Sequence, residues 1–352
     1  MDLRNIYRIV FHNDLDGICC AAHFLQQIGS GDYVLHPVKT QIRGEKFERL
    51  ISSFPKEDTV VVFDFQYHER CKIWVDHHIN NVLPREYTKL LVNDTTALSA
   101  FQILNPTHAA TEWVNIVDAC KYPNAQFIFE SDHPAMTLNR FIKSTFPHDM
   151  IYCRVAEILA KTNIDFERTI GILGLNAEDL VNRELEGCKR AAAFMCVHAE
   201  DISVIFESRS GEYPRYAEFY AQKHIAYAIR QVSTGNGKCQ IEIGYNPFHR
   251  HKNNLDIGKY MKEHELLQTG GGHHDIGGGV MLEKNSEKFI QDFITTMTGD
   301  DCMEKLAVDP TDSVEVEAAE MVKIGSAKSQ EEGREKVVME GKIDGDNSGL
   351  KL

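Results

Sequence analysis

Short runs of β-branched and aromatic residues alternate with helical patterns in the first third of the chain, and this alternation constrains the fold most strongly. The runs IYRIVF (6–11), TVVVFDF (59–65) and KIWVD (72–76) are bounded by polar or turn residues, as buried strands are. Between them, segments 17–29 and 46–54 have helical spacing. The order β-α-β-α-β predicts a parallel sheet with helices on both faces.

Helical patterns dominate from residue 95 to 200, and a second group of strands follows. The segment 177–199 predicts one long helix, while 201–208 and 238–245 predict strands with a helix over 216–232 between them. We therefore predict an α/β fold in four parts. These are an N-terminal parallel-sheet domain (1–150), a helical connector (151–200), a smaller C-terminal α/β domain (201–300) and an acidic, mobile tail (301–352).

The charge of the chain limits its partners. A net charge of −14, to which the tail contributes 13 acidic and seven basic residues, argues against a generic basic surface for nucleic acid. A small phosphorylated ligand remains compatible, because metal ions in a local pocket can override the global field. The nine cysteines form no Cys-x-x-Cys pair, and the N-terminal apolar run is too short for a signal peptide or membrane span. We therefore expect a cytoplasmic protein with no membrane partner.

Polar side chains that can bind metals follow three predicted strands, where ligands bind in open α/β sheets. Carboxylates gathered at one edge repel one another unless a cation neutralises them. Oxygen ligands completed by imidazole suit Mn²⁺, with Mg²⁺ or Fe²⁺ as alternatives, and shared aspartates can hold two such ions about 3.5–4 Å apart. The residues are His12, Asp14 and Asp16 after the first strand, Asp64 at the second, Asp76, His77 and His78 at the third, and Asp118 in a helix.

Simpler interpretations exist for each of these residues alone. Asp14 or Asp16 is a natural N-cap for the helix that begins near Gly17. A calcium loop aligned on that glycine would need acidic residues where His12 and His23 stand, so we reject it. The presence of such residues at three strand ends favours a shared metal site.

The motifs HNDLDG (12–17), DHH (76–78) and GGGHHDIGGG (270–279), together with Asp64 and Asp118, resemble the DHH phosphoesterases and their associated DHHA1 domain. That superfamily includes single-strand exonucleases, nanoRNases, cyclic-dinucleotide phosphodiesterases and some polyphosphatases. The form of HNDLDG is most similar to the nanoRNase and exopolyphosphatase-like branch. The resemblance covers roughly residues 5 to 285 and implies a DHH catalytic domain followed by a DHHA1-like substrate-binding domain.

The resemblance also implies roles for individual residues. His12, Asp14 and Asp64 would hold one divalent cation, and Asp16, Asp64, His77 and Asp118 the other, with a bridging hydroxide as the nucleophile for in-line attack. His78 would face the scissile phosphate and protonate the leaving oxygen, with Asp76 orienting the histidines. His12 departs from the pattern of many members, which place this histidine four residues before the first aspartate rather than two.

The same resemblance assigns substrate binding to the glycine-rich segment. Gly270, Gly271 and Gly272 would let backbone N–H groups approach a phosphate, and His273 would add a contact. A flexible linker is the alternative meaning of three glycines. Many DHHA1 domains carry an arginine-serine motif before the glycines. This chain offers Asn246, Arg250 or Arg209 instead.

We therefore expect a metal-dependent phosphoesterase that converts short RNA or DNA oligonucleotides or dinucleotides to mononucleotides, with two Mn²⁺ ions as cofactors. A polyphosphate or pyrophosphate hydrolase is the alternative, since the chemistry would be the same on a different bond. A nucleotide sensor without catalysis is a third hypothesis. The sequence leaves the oligomeric state open, and a homodimer is among the alternatives.

Overall fold

The computed structural model describes nine stretches of the chain, and all of them belong to one compact unit, Met1–Asp301. The predicted tail lies outside the described residues, so its character stays a prediction. The described stretches are 6–39, 42–78, 90–119, 130–144, 148–192, 195–199, 202–207, 225–249 and 253–298.

The first sheet is parallel throughout, as the sequence predicts. Its strands are β1 (Tyr7–His12), β2 (Tyr33–Val38), β3 (Thr59–Phe63), β4 (Cys71–Asp76) and β5 (Leu91–Asn93). They lie in the order β2-β1-β3-β4-β5. The carboxyl ends of β1, β3 and β4 therefore meet at one edge, which positions the candidate site.

Helices cover both faces of this sheet. Successive residues of β1 point to opposite faces, so Phe11 packs in the core with α1 and α6, while Val10 packs in the core with Phe47 of α2. In the described part of the chain, no helix is long and apolar enough to cross a membrane. The helices are α1 (Leu15–Ile28), α2 (Glu45–Ser52), α3 (Ala100–Leu104), α4 (Thr111–Asp118), α5 (Pro134–Ser144), α6 (Asp149–Lys161), α7 (Phe166–Leu173) and α8 (Ala177–Ala192).

The sequence prediction missed β2, although it placed the helices on either side of it. The strand β2 lies between α1 and α2, and the chain passes from β3 to β4 without an intervening helix. As an edge strand that contains His36 and Pro37, β2 lacks the continuous apolar run of a central strand.

The second sheet has six strands in the order β10-β11-β9-β8-β7-β6 and is antiparallel except for the β7–β8 pair. Its buried face packs against the helices α9 (Ile257–Glu263) and α10 (Ser286–Thr298), with Ile241, Met261 and Phe293 in the shared core. The strands are β6 (Met195–Ala199), β7 (Ile202–Glu207), β8 (Tyr227–Gly235), β9 (Lys238–Tyr245), β10 (Leu267–His273) and β11 (Ile276–Leu282).

Two helix predictions in this half were wrong in part. The helix predicted over 177–199 ends at Ala192 and is followed by β6, while residues 227–232 of the helix predicted over 216–232 lie in β8. The apolar residues of 225–232 fit both the helical and the strand period. They form a strand because β8 pairs with both β7 and β9. Residues 208–224 lie outside the described stretches.

Gly17 fixes how closely α1 approaches the end of β1. A Cβ atom at this position would lie 2.2 Å from the carbonyl oxygen of His12. We therefore expect Gly17→Ala to lower the free energy of unfolding by at least about 2 kcal/mol, as overpacking does. Chemical denaturation measures the change. Gly171→Ala in α7 is the matched control, because nothing lies within 4 Å of its added Cβ and the change should stabilise the helix slightly. Equal stability of both variants would contradict the close approach.

Candidate metal centre

Four aspartates and two histidines lie together at the carboxyl edge of the first sheet, and we call them the carboxylate–histidine cluster. The chain positions them from the end of β1, the start of α1, the residues after β3 and β4, and the last residue of α4. The members are His12, Asp14, Asp16, Asp64, His77 and Asp118.

One group of possible ligands consists of His12, Asp14 and Asp64, whose donor atoms lie within 4.8 Å of one another. Nδ1 of His12 is 2.6 Å from Oδ2 of Asp14 and 3.3 Å from Oδ2 of Asp64. Asp14 is also the N-cap of α1, since its Oδ1 accepts a hydrogen bond from the N–H of Gly17 at 3.0 Å. The capping interpretation and the metal interpretation of Asp14 are therefore compatible.

A second group gathers around Nε2 of His77. This atom is 3.4 Å from Oδ1 of Asp64, 3.7 Å from Oδ2 of Asp16 and 3.3 Å from Oδ2 of Asp118. The other ring nitrogen, Nδ1, lies 3.3 Å from the carbonyl oxygen of Ala97. A proton on Nδ1 would be donated to that carbonyl, which leaves the lone pair of Nε2 directed at the three carboxylates.

Asp64 belongs to both groups and is the residue that joins them. Its side chain is fully buried, and neither carboxylate oxygen accepts a hydrogen bond within the described stretches. Its backbone has φ of +53°, in the left-handed region that residues other than glycine seldom adopt. A buried carboxylate without a hydrogen-bond donor is costly, so its surroundings fit a cation well.

Asp16 is anchored more firmly than the other cluster members. Its two oxygens accept hydrogen bonds from the N–H groups of Ala100 and Phe101, at 2.7 and 2.8 Å, at the start of α3. Each carboxylate oxygen has a second lone pair, so these bonds leave capacity for a cation. The helix α3 thus fixes the direction in which Asp16 faces the cluster.

Within the cluster, the pKa values of two carboxyl groups are raised and those of the other two are lowered. Burial, reinforced by the negative charge of Asp64, raises the pKa of Asp16 well above its ordinary value, and burial together with Asp14 raises the pKa of Asp64. Burial also acts to raise the pKa of Asp14 and Asp118, but their histidine neighbours outweigh it and lower both. Negative charge is therefore in excess where the two ligand groups meet.

The same carboxylates favour protonation of the histidines in the cluster. Burial acts to lower the pKa of His12 and His77, but neighbouring carboxylates outweigh it and raise both values well above the ordinary range. A divalent cation would replace these protons as the source of positive charge.

Because protons and metal compete for the same atoms, we expect Mn²⁺ to stabilise the protein more at pH 7.5 than at pH 5.5. The raised pKa values of Asp16, Asp64, His12 and His77 mean that lower pH keeps these groups protonated and weakens metal binding. Thermal unfolding with and without saturating Mn²⁺ at the two pH values measures the effect. A shift in Tm that is equal at both pH values would contradict it.

His78 and Asp76 form a close pair beside Asp64, since Nδ1 of His78 also lies 3.5 Å from Oδ1 of Asp64. Nδ1 of His78 lies 2.9 Å from Oδ1 of Asp76, which is fully buried. Asp76 thus fixes the orientation of the His78 ring.

The glycine-rich segment forms a hairpin of paired strands rather than a loop. Gly270, Gly271 and Gly272 of β10 pair with residues of β11. A Cβ at Gly270 would lie 2.0 Å from the carbonyl oxygen of Met261 in α9, and one at Gly272 would lie 2.2 Å from that of Ile276. Close packing thus requires at least two of these glycines, which excludes the flexible-linker interpretation. Their assignment to phosphate binding stays a prediction.

The hairpin delivers His273 to the cluster. Nε2 of His273 is 3.7 Å from Oδ2 of Asp118, and its ring centroid lies 5.3 Å from that of His77 and 5.6 Å from that of His78. The second sheet therefore completes the rim of the site.

Of the three residues predicted to replace the arginine-serine motif, the structure describes Asn246 alone. Asn246 is fully buried, where its Nδ2 donates to the carbonyl of Ile225 at 2.6 Å and its Oδ1 accepts from the N–H of Phe248 at 2.8 Å. These bonds give Asn246 a structural role in the turn after β9. Arg209 and Arg250 lie outside the described residues. All three assignments stay predictions.

Sequence reasoning missed Arg43, which lies just before α2. Its guanidinium carbon is 5.2 Å from the ring centroid of Phe65, and its Nε is buried without a hydrogen-bond partner among the described residues. Burial lowers the pKa of Arg43, while the charges of Asp76 and Asp64 oppose that change. The sequence contains no signal for Arg43, because this residue follows β2, a strand that was not recognised in the sequence.

The structure was compared with known proteins. PggH of Vibrio cholerae, described as a pGpG-specific phosphodiesterase, is similar over 84% of this chain and 99% of its own, with 15% identity and a TM-score of 0.52. The chain shares the fold of this protein. This supports the resemblance of the motifs at the level of the fold.

Weaker similarities extend to other solved structures. RecJ of Thermus thermophilus, in complex with Mn²⁺, is 13% identical with a TM-score of 0.47, over 82% of this chain and 51% of its own. A DHH domain from a member of a family of ribosomal proteins is 12% identical with a TM-score of 0.41, over 83% and 86% of the two chains. No protein-family model and no curated protein matches the sequence.

Proposed function

We propose that the chain is a divalent-metal-dependent phosphoesterase that hydrolyses short oligonucleotides or dinucleotides to mononucleotides. The observation that carries the proposal is the pair of ligand groups that share the buried, unsatisfied carboxylate of Asp64. The similarity to a pGpG-specific phosphodiesterase supports the substrate class.

His12, Asp14 and Asp64 would hold one cation, and Asp16, Asp64, His77 and Asp118 the other. Their oxygen and imidazole donors fit Mn²⁺, and Mg²⁺ or Fe²⁺ less closely. When bound, such a pair of cations supplies an activated water near neutral pH and neutralises charge on the phosphate.

The remaining residues would bind the substrate and move a proton. His78, held by Asp76, would donate the proton to the oxygen that leaves when the P–O bond breaks. His273 approaches from the second sheet and would contact the phosphate, and the guanidinium of Arg43, beside Phe65, would supply a second contact. The two sheets would thus anchor one phosphate while the other is cut.

The surroundings favour a short substrate in a reducing compartment. The net charge of −14 disfavours a long polyanion. The described cysteines, Cys19, Cys20, Cys71, Cys153 and Cys239, are free thiols, which supports a cytoplasmic location.

A panel of substrates tests the proposed function. With Mn²⁺ present, we expect kcat/KM for the 5′-phosphorylated dinucleotides pGpG and pUpU to exceed that for a 20-residue RNA and for tripolyphosphate. Ion-exchange chromatography of the products measures each rate. Faster hydrolysis of tripolyphosphate would favour the phosphoanhydride alternative, and tight dinucleotide binding without hydrolysis would favour the sensor.

Replacing Arg43 tests its place in substrate binding. We expect Arg43→Met to lower kcat/KM for pUpU about 10- to 100-fold, mainly through KM, because a charge-assisted hydrogen bond contributes about 1.5–3 kcal/mol. Arg43→Lys should recover part of this loss. Steady-state kinetics on pUpU and on unphosphorylated UpU separates a contact to the terminal phosphate from one to the scissile phosphate. Unchanged KM for both substrates would place Arg43 outside the site.

A further inference from the structure

A groove crosses the edge of the first sheet at β2, outside the proposed metal centre. It has a volume of about 1190 Å³ and runs between α2 on one side and α6 and α7 on the other. Its apolar lining is aliphatic and comes from all four elements and the segment after β2. It includes Leu35, Ile42, Leu50, Met150, Ile158 and Ile172.

Exposed apolar side chains concentrate around this groove. Among the described residues, the large hydrophobic side chains exposed by more than a third are Val34, Leu90, Met150 and Ile172. Met150 and Ile172 line the groove, with 83% and 57% of their surface exposed, and Val34 lies on β2 beside it. Apolar patches of this kind in a water-exposed groove mark sites where another molecule docks.

The rim of the groove is basic in a chain that is acidic as a whole. Five basic side chains line it, Lys39, Lys46, Arg49, Arg154 and Lys161, against the acidic Asp149 and Glu157. Glu157 accepts a hydrogen bond from Tyr33 at 3.2 Å. A net charge of −14 for the whole chain makes this concentration of positive charge a local feature. It is complementary to an acidic occupant.

The lining distinguishes between kinds of acidic occupant. Single-stranded nucleic acid binds to aromatic platforms on which bases stack, and the groove lining contains no Phe, Tyr or Trp among the described residues. An added β-strand would pair with the outer edge of β2, where Pro37 supplies no N–H. Aliphatic side chains with an adaptable methionine suit the apolar face of a helix.

We propose that this groove is a docking site for an acidic amphipathic helix of a partner protein. The helix would place its apolar side chains on Leu35, Ile158 and Ile172 and its carboxylates against Lys46 and Arg154. The occupant would also touch Ile42, which precedes Arg43 in the chain. Docking is thus positioned to act on the segment that carries Arg43.

Selection from a random 16-residue peptide library, displayed on phage and applied to the full chain, tests this proposal. We expect the enriched peptides to combine Asp or Glu with aliphatic residues at helical spacing. The synthetic peptides should bind the Lys46→Glu/Arg154→Glu variant at least tenfold more weakly than the unchanged chain in fluorescence polarisation. A Lys238→Glu/Lys284→Glu variant, which reverses two exposed lysines of the second sheet and the turn after it, should bind them equally well.

Several results would overturn the proposal. These are no enrichment, enrichment of neutral or basic peptides, or equal binding to the groove variant. Binding of labelled oligouridine that is lost in the same variant, without a selected acidic peptide, would assign the groove to nucleic acid instead. Hydrolysis of pUpU by the groove variant should equal that of the unchanged chain, so the groove and the proposed function can fail independently.

Discussion

Asp64→Asn should reduce hydrolysis of pUpU in Mn²⁺ by at least about 1,000-fold, equivalent to about 4 kcal/mol of transition-state stabilisation. The reason is that Asp64 belongs to both ligand groups, so a neutral amide weakens both at once. Asparagine tolerates the left-handed backbone, where φ is +53°, better than alanine does. Steady-state kinetics measures the loss, and isothermal titration with Mn²⁺ measures the accompanying loss of metal affinity.

Two controls make this result specific. Asp165→Asn changes an N-cap aspartate of α7 to another good cap and should keep full activity and Mn²⁺ affinity. Thermal unfolding without metal checks that Asp64→Asn still folds, so that a loss of activity is not a loss of structure. Retained activity in Asp64→Asn would mean that Asp64 does not join two metal sites.

His78→Gln should reduce kcat for pUpU by about 10²- to 10⁴-fold, the usual contribution of a general acid. Because Asp76 already fixes Nδ1 of His78, the loss should appear in kcat while Mn²⁺ affinity is kept. Asp76→Asn should cause a smaller loss, since the ring remains but its orientation and tautomer are less well fixed.

A substrate whose leaving group needs no proton separates the general-acid role of His78 from a structural role. With thymidine 5′-(p-nitrophenyl phosphate), the p-nitrophenolate leaves readily, so His78→Gln should lose much less activity than it does with pUpU. The exposed His148→Gln serves as the control and should behave like the unchanged chain with both substrates. Equal losses on the two substrates would contradict the general-acid role of His78.

The sequence predicts the strands correctly where the local apolar pattern matches the burial of the residues in the fold. Strands such as β3 are buried along almost their whole length and appear in the sequence as unbroken apolar runs. The polar residues that follow β1, β3 and β4 come together because parallel strands present their carboxyl ends at one edge. The prediction of a common site for His12, Asp64 and His77 needed no more than that rule.

Elsewhere, contacts distant in sequence decide the outcome. β8 has a sequence compatible with a helix and becomes a strand because β7 and β9 pair with it. The position of Arg43 beside Phe65 could not be predicted, because the edge strand β2 that precedes it has no clear apolar pattern. Likewise, His273 is brought to Asp118 by the packing of one half of the unit on the other, which no local spacing encodes.

Release of mononucleotide from a 5′-labelled RNA dinucleotide, followed as Mn²⁺ is titrated into metal-free protein, tests the central claim most directly. The account predicts no release without metal and a rate that rises as Mn²⁺ fills the two sites that share Asp64. It also predicts that EDTA stops the reaction. Release that proceeds equally well in EDTA, or no release from folded protein that has bound Mn²⁺, would contradict it.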